Sequence, residues 1–318
     1  GSGIPRIDFS DDANGALLLE PERSNYWTNS EGSDITLNSP LGEFGFYTLN
    51  NTFINRTITY VGTINFTFII KKIDGTIPTI SNSAGSGDLV LLVSGTSTAG
   101  LDGVLTDIGN GFYKYELTKG ANGTSVARIQ NNSGLDTYVS LIQYENGSYP
   151  TSYIKTVGTA QTRVADTASG SGNSTVINST EGVLYAEISA LADDGTFRLI
   201  SLSDATTNNR LSLGYRSTSN AIYCEIKNAN VAQAFLLGTV ADIKNVSKVA
   251  VKYKENDFAL FINGIEVATD PSGLVPSNLS VLTFSRADGA LPFYGNVKSV
   301  QVYTTALTDA ELISLTTI

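Results

Sequence analysis

Apolar and polar residues alternate along most of this 318-residue chain, and a helical period is nearly absent. Residues 66–71, 89–93, 112–117, 126–129 and 138–144 read as half-buried strands, separated by clusters of Gly, Asn, Asp and Ser. A second series follows at 183–188, 198–202, 211–215, 222–226 and 234–237, then 249–253, 258–267, 281–284 and 294–303. Asn263-Gly264, set between two alternating runs, predicts a hairpin with a type I′ turn. Phe258, Leu260 and Ile262 are expected on one face of its strand, Ala259 and Phe261 on the other. One helix is expected, at the C-terminal end, where Thr308 and Glu311 have the spacing of a capping box and Leu312 and Leu315 share a face.

Many short strands with polar turns predict an all-β chain of two tandem antiparallel β-sandwiches (jelly rolls), with an N-terminal extended arm and a short C-terminal helix. The expected divisions are an arm at 1–25, a first sandwich at 26–166, a linker at 167–175 and a second sandwich at 176–318. Leu17-Leu18-Leu19 in the arm reads as a strand that docks on another surface. The stretch at 167–175, TASGSGNST, has the composition of a flexible linker.

Composition then narrows the function. The chain is 41% hydrophobic and 16% charged, with a formal net charge of −10, so it has matter for a core and a surface rich in hydroxyls and amides. No run of Lys or Arg occurs, which argues against nucleic acid and against an anionic membrane surface. Lysines and acids break the longest apolar stretch, at 246–268, so neither membrane insertion nor a signal peptide is expected. The chain opens Gly1-Ser2-Gly3 and has no methionine, as expected of a piece of a longer protein. Its one cysteine, Cys224, alternates with Ile222 and Ile226 and is expected in the core.

The chain has no histidine, which removes Ser-His-Asp and Cys-His catalysis and histidine-based metal sites. A Glu-x-Asp-x-x-Glu strand motif for glycoside hydrolysis is also missing; the nearest pair, Glu20-Pro21-Glu22, is interrupted by proline. No enzyme activity is expected. Asp12-x-Asn14-Gly15 has the start of a calcium loop, but Pro21 stands where a bidentate glutamate belongs, and a solvated turn is the better reading.

Several segments resemble known families. VAVKYKENDFALFINGIEVAT ending at Thr269, Phe293-Tyr294-Gly295 and the final ALTDAEL (306–312) resemble concanavalin A-like domains of the laminin-G/pentraxin type. Residues 108–114, IGNGFYK, are similar to a strand opening of carbohydrate-binding-module-like jelly rolls in phage tail and other virion proteins, with Phe112 in place of a tryptophan. Residues 4–9, 17–25 and 143–166 are similar to the opening and closing segments of the same phage proteins, Lys155 replacing the usual proline. The resemblance implies a tail fibre or capsid-decoration protein, outside the cell, binding cell-surface glycan or other virion proteins as a homo-oligomer, a trimer being favoured. The alternatives are a structural virion spacer without glycan binding and a bacterial secreted adhesin or glycan-binding module.

Alternation in the second sandwich turns Leu211, Leu213 and Tyr215 inward, and Arg210, Ser212 and Arg216 outward. Likewise Ile222, Cys224 and Ile226 point in, and Tyr223 and Glu225 out. Arg210, Arg216, Tyr223 and Glu225 are therefore the candidate glycan-binding residues, with Trp27 as a further candidate platform. No cofactor is required by this reading. Asp193, Asp194 and Asp204 are calcium candidates, because laminin-G-like domains hold calcium in such loops, and isolated acidic turns are the plainer alternative.

Overall fold

The computed structural model describes residues 6–9, 13–60, 62–81, 89–92, 103–120 and 123–318. The sequence features at Ile4, Pro5, Asp12 and Val93 lie outside the described residues. The fold is all-β with two sandwich units and one short helix among the described residues. One unit comprises Gly1–Pro21 and Ala165–Ile318, the other Glu22–Val164. The second is thus inserted in the sequence of the first, and we call them the inserted and host units.

The host unit begins with β1 (Arg6–Asp8) and β2 (Ala16–Leu19). The inserted unit carries β3 (Arg23–Asn25), β4 (Ile35–Ser39), β5 (Gly42–Leu49), β6 (Thr52–Tyr60), β7 (Thr63–Lys72), β8 (Ile80–Ser81), β9 (Leu89–Leu92), β10 (Val104–Gly109), β11 (Phe112–Gly120), β12 (Gly123–Asn131), β13 (Thr137–Asn146) and β14 (Gln161–Arg163). The host unit resumes with β15 (Glu181–Ala190), β16 (Arg198–Ser203), β17 (Arg210–Tyr215), β18 (Ala221–Asn228), β19 (Val231–Thr239), β20 (Ser247–Lys254), β21 (Phe258–Ile262), β22 (Ile265–Asp270), β23 (Val281–Thr283), β24 (Gly295–Tyr303) and α1 (Asp309–Thr316).

In the inserted unit a six-stranded sheet, β10-β11-β7-β13-β5-β4, accompanies a four-stranded sheet, β6-β12-β9-β8. Strict alternation in β7 sends Ile64, Phe66, Phe68 and Ile70 into the core, where they meet Trp27, Tyr115 and Tyr144. Residues 147–156 then form a strap held by buried amides. Asn65 donates to the Gly147 and Tyr149 carbonyls at 2.8 and 2.9 Å, Gln143 accepts from the Ile154 amide at 2.6 Å, and Asn25 donates to the Ile154 carbonyl at 2.8 Å. Glu145, also buried, accepts from the Thr151 amide and hydroxyl, both at 2.7 Å. The strap lacks strand partners of its own, so these side chains satisfy its backbone.

The host unit pairs a seven-stranded sheet, β1-β2-β24-β15-β20-β21-β22, with a five-stranded sheet, β19-β18-β17-β16-β23. Leu184, Ile188, Val251 and Leu260 from the first meet Ile200, Leu213, Tyr215 and Cys224 from the second. Phe258, Leu260 and Ile262 face this core while Ala259 and Phe261 join the opposite cluster, as alternation predicts. Asn263 and Gly264 both take positive φ, 52° and 80°, as a type I′ turn requires. Helix α1 starts with the predicted capping box, the Thr308 amide donating to Glu311 Oε2 at 2.8 Å. Through Leu312 the helix covers the outer side of the seven-stranded sheet.

Two segments differ from the sequence reading. The supposed separate arm is part of the host unit: Leu17, Leu18 and Leu19 pair with Val297, Asn296 and Gly295 of β24, and Leu19 enters the core. Its docking surface is therefore this chain's own sheet, chosen because β24 would otherwise leave an unpaired edge. The supposed flexible linker at 167–175 runs beside β23, where Ser171 exchanges backbone hydrogen bonds with Leu282 and Ala168 accepts from the Phe284 amide.

Two charged groups generate predictions. Arg6 donates Nη1 to Glu20 Oε2 at 2.5 Å and Nη2 to Asp166, and Asp166 also accepts from the Glu20 amide at 2.8 Å. Glu20 is only 3% exposed. Arg6→Ala removes the Arg6 guanidinium from Glu20 and Asp166 and is expected to cost about 2 kcal/mol, between the ranges for surface and buried pairs, read by chemical denaturation. Burial, opposed by the Thr151 hydrogen bonds, raises the Glu145 carboxyl above its ordinary value of 4.5. The folded state therefore holds that proton more tightly than the unfolded state. Relative to Glu145→Gln, wild-type stability is expected to fall as pH rises from the ordinary carboxylate value through the raised one. A difference that grows with pH instead contradicts this assignment.

Candidate functional site

The outer faces of the two host sheets have different fates. The middle of the seven-stranded sheet, over β15, β20 and β21, is covered by α1. On the five-stranded sheet, the strand registers align rows of outward-pointing residues, of which those on β16 and β17 are buried beneath their neighbours' side chains. Ser201, Ser212, Glu225 and Phe235 lie opposite one another across β16 to β19. The next row is Gly214, Tyr223 and Leu237, and the row on the other side is Ser203, Arg210 and Lys227. Small residues lie in the middle: Ser201 and Ser212 share a hydrogen bond of 2.9 Å. Gly214 tolerates no side chain, since a Cβ there would come 1.8 Å from the Arg198 carbonyl oxygen.

Larger groups rise at the sides. Phe235 and Leu237 are 51% and 39% exposed because β19 is an edge strand whose inward positions, Ala234 and Leu236, already fill the core. The Tyr223 ring lies 5.6 Å from Phe235 and meets Phe197 edge-on at 6.1 Å. The Arg216 guanidinium sits 5.8 Å over Tyr223 and 5.3 Å over Phe235, in cation–π range of both. Burial, reinforced by the charge of Glu225, pushes the Tyr223 hydroxyl up to about 12.

Charge is paired along the same face. Arg210 donates to Glu225 Oε2 and to the Thr207 carbonyl, and Lys227 Nζ lies 3.6 Å from Glu225 Oε1. Arg286 grips Asp288 with two hydrogen bonds, 2.9 and 2.6 Å, which hold that carboxyl down to about 2. Arg286, in the loop after β23, is also within electrostatic reach of Glu225 and Tyr223.

The sequence-based candidates separate. Arg210, Arg216, Tyr223 and Glu225 do share one face, but not equally openly. Arg210 is 5% exposed and committed to Glu225, and Tyr223 is 7% exposed among Phe197, Phe235 and Arg216. Both were expected as outward ligands and are instead largely covered by neighbouring side chains. Trp27 is not a platform: it is fully buried in the inserted unit, 5.6 Å from Phe66. Phe235, Leu237, Arg286 and Asp288 were missed. Alternation around Ala234 and Leu236 was a usable signal for the first two; a loop contact such as Arg286–Asp288 has none.

The three acidic candidates do not converge. Asp193 accepts from the Ser219 hydroxyl and the Asn220 amide. Asp194 accepts from the Thr196 amide and from Arg198 at 2.7 Å. Asp204 accepts from Thr206 and Asn209; burial opposes its ionisation, yet these hydrogen bonds hold its carboxyl below the ordinary value. Among the described residues, no group of three or more His, Cys, Asp or Glu side chains can share a metal ion.

The profile of the concanavalin A-like lectin/glucanases superfamily matches residues 171–313, a stretch wholly within the host unit. Among curated proteins, no sequence matches this chain. The chain is similar in structure to the CBM40 of Ruminococcus gnavus IT-sialidase at 20% identity, over 48% of this chain and 95% of that one, with a TM-score of 0.40. It is similar to the SAP-like pentraxin of Limulus polyphemus at 13% identity, over 46% and 72%, with a TM-score of 0.37. Domain 4 of AbnA, a GH43 extracellular arabinanase from Geobacillus stearothermophilus, gives 12% identity over 50% and 73%, with a TM-score of 0.38.

Proposed function

We propose that this chain is a glycan-binding module, that its site is the outer face of the five-stranded sheet, and that it serves a phage tail or capsid fibre at the host cell surface. The observation that carries the reading is the exposed pair Phe235 and Leu237 beside the Tyr223–Arg216 cluster and the Arg210–Glu225–Lys227 ion pairs. A pyranose has an apolar C–H face and a polar rim. Aromatic and aliphatic side chains take the first, and charge-assisted hydrogen bonds take the second. Glu225 and Lys227, on the same face, and the Arg286–Asp288 pair, within electrostatic reach of Glu225 and Tyr223, would serve the rim.

The lectin-like fold of residues 171–313 supports the reading. Binding is favoured over hydrolysis because both carboxylates of this face are tied to cations, and Asp288 is held ionised rather than poised to donate a proton. The virion placement rests on the likeness of residues 4–9, 17–25, 108–114 and 143–166 to phage appendage proteins. With it come an extracellular location and a homo-oligomer, a trimer being favoured.

Two measurements test this. In a glycan-array and whole-cell screen of the full chain, with and without calcium, saturable binding is expected, and Phe235→Ala should weaken it about tenfold. Because Phe235 is half exposed, its unfolding midpoint should move little. An array on which no glycan binds would transfer the chain to the class of structural virion spacers. Light scattering after size exclusion is expected to return a trimeric mass, and a monomer at every concentration would remove the fibre assignment while leaving glycan binding intact.

A further inference from the structure

The cations of the proposed site are unequally matched. On a chain of net charge −10, this one face gathers Arg210, Arg216, Lys227 and Arg286 against two carboxylates, Glu225 and Asp288. Arg210 and Lys227 share Glu225, and Arg286 holds Asp288 through both ends of its fork. Arg216 remains. No carboxylate or hydrogen-bond acceptor among the described residues meets its guanidinium, and its Nε is buried without a partner. It is kept in place by ring faces, Tyr223 and Phe235, and these hold a cation without consuming its N–H donors.

A guanidinium in that state is an arranged receptor for a planar anion. Its fork matches a carboxylate with two parallel hydrogen bonds, and the stacked rings fix its orientation before any ligand arrives. The neighbouring exposed surface is apolar, Phe235 and Leu237, so the ligand that fits must carry its carboxylate next to a hydrophobic ring face. We propose that the glycan bound here is acidic, and that Arg216 binds the carboxylate of a sugar acid while Phe235 and Leu237 support the sugar ring. This rests on the glycan-binding reading of the same face and adds the ligand class and the residue that selects it.

The chemistry is shared by uronic acids and by nonulosonic acids, whose carboxylates are attached differently to the ring. Titration calorimetry on the full chain with methyl glycosides of glucuronic acid and N-acetylneuraminic acid separates the two. Methyl galactoside and methyl glucoside serve as neutral partners, and sodium acetate as a bare carboxylate. At least one acidic glycoside is expected to bind ten or more times more tightly than either neutral one and than acetate, with an affinity that falls as salt rises. Arg216→Gln should weaken the acidic glycoside at least ten times more than the neutral ones, and Arg216→Lys should retain part of the preference, which separates charge from loss of folding. Equal affinity for acidic and neutral glycosides, or an equal loss of both in Arg216→Gln, overturns the proposal and leaves the glycan reading standing. Acetate binding as tightly as the sugar acids overturns it as well. If no glycoside binds while the array shows saturable glycan binding, the proposal falls and the glycan reading stands; if the array is also silent, both fall.

Discussion

Everything in the host unit depends on closing a gap in its own sequence. The chain leaves the host sheet at Glu20 and returns at Asp166, and Arg6 lies between their carboxylates. The backbones are tied as well: the Asp166 amide donates to the Glu20 carbonyl. Inside the inserted unit the same two passages continue side by side, as β3 pairs with β14 from Arg23 opposite Arg163 to Asn25 opposite Gln161. A two-stranded ribbon such as β1–β2 is marginal alone. Anchored by Arg6, it places Leu19 in the core and completes the edge of β24. The partly buried triad is thus less a source of net stability than a device that fixes where the interrupted strands must meet.

That closure decides which surface is left for a ligand. β1–β2 completes one edge of the seven-stranded sheet, and α1 covers the outer side of its middle strands. The five-stranded sheet has core on one side only. Its outer side is shallow because Ser201, Ser212 and Gly214 are small, and it is bounded by long side chains that hold one another through ion pairs and ring contacts. A rigid, mostly pre-paired surface loses little side-chain freedom on binding, which favours a weakly cohesive ligand such as a sugar.

Much of this was legible in the alternation of the chain. The strands of the host unit, the Asn263-Gly264 turn, the faces of Phe258 to Ile262 and the capping box at Thr308 all follow from local rules that packing did not override. Strands β4, β5, β6 and β10 of the inserted unit were not recognised. β4 is polar, with exposed positions at Ile35, Thr36 and Asn38, so the apolar period that marks a strand is weak there. The insertion was also illegible, since no local pattern tells Leu17 that its partner is Val297. Period two put Arg210, Arg216, Tyr223 and Glu225 together on one outward-pointing face, where the structure also has them. It cannot tell an outward residue from an open one. Arg210 and Tyr223 are covered by neighbours that come from other strands, and Arg286 arrives on a loop.

The pairing of β2 with β24 also bears on how the chain acquires its structure. These strands lie at nearly opposite ends of the sequence, and such long-range contacts make for slow folding because a large loop must close first. Once the inserted unit has folded, its β3–β14 ribbon already holds the two ends of that loop adjacent. To the host, the long insertion then behaves as a short connection, and most of the entropy of closure has been lost in an earlier, separate step. The β1–β2 hairpin, made before the inserted unit, must nonetheless wait for β24, made after it, before its leucines are buried. The order of synthesis and the order of assembly therefore run in opposite directions in this protein.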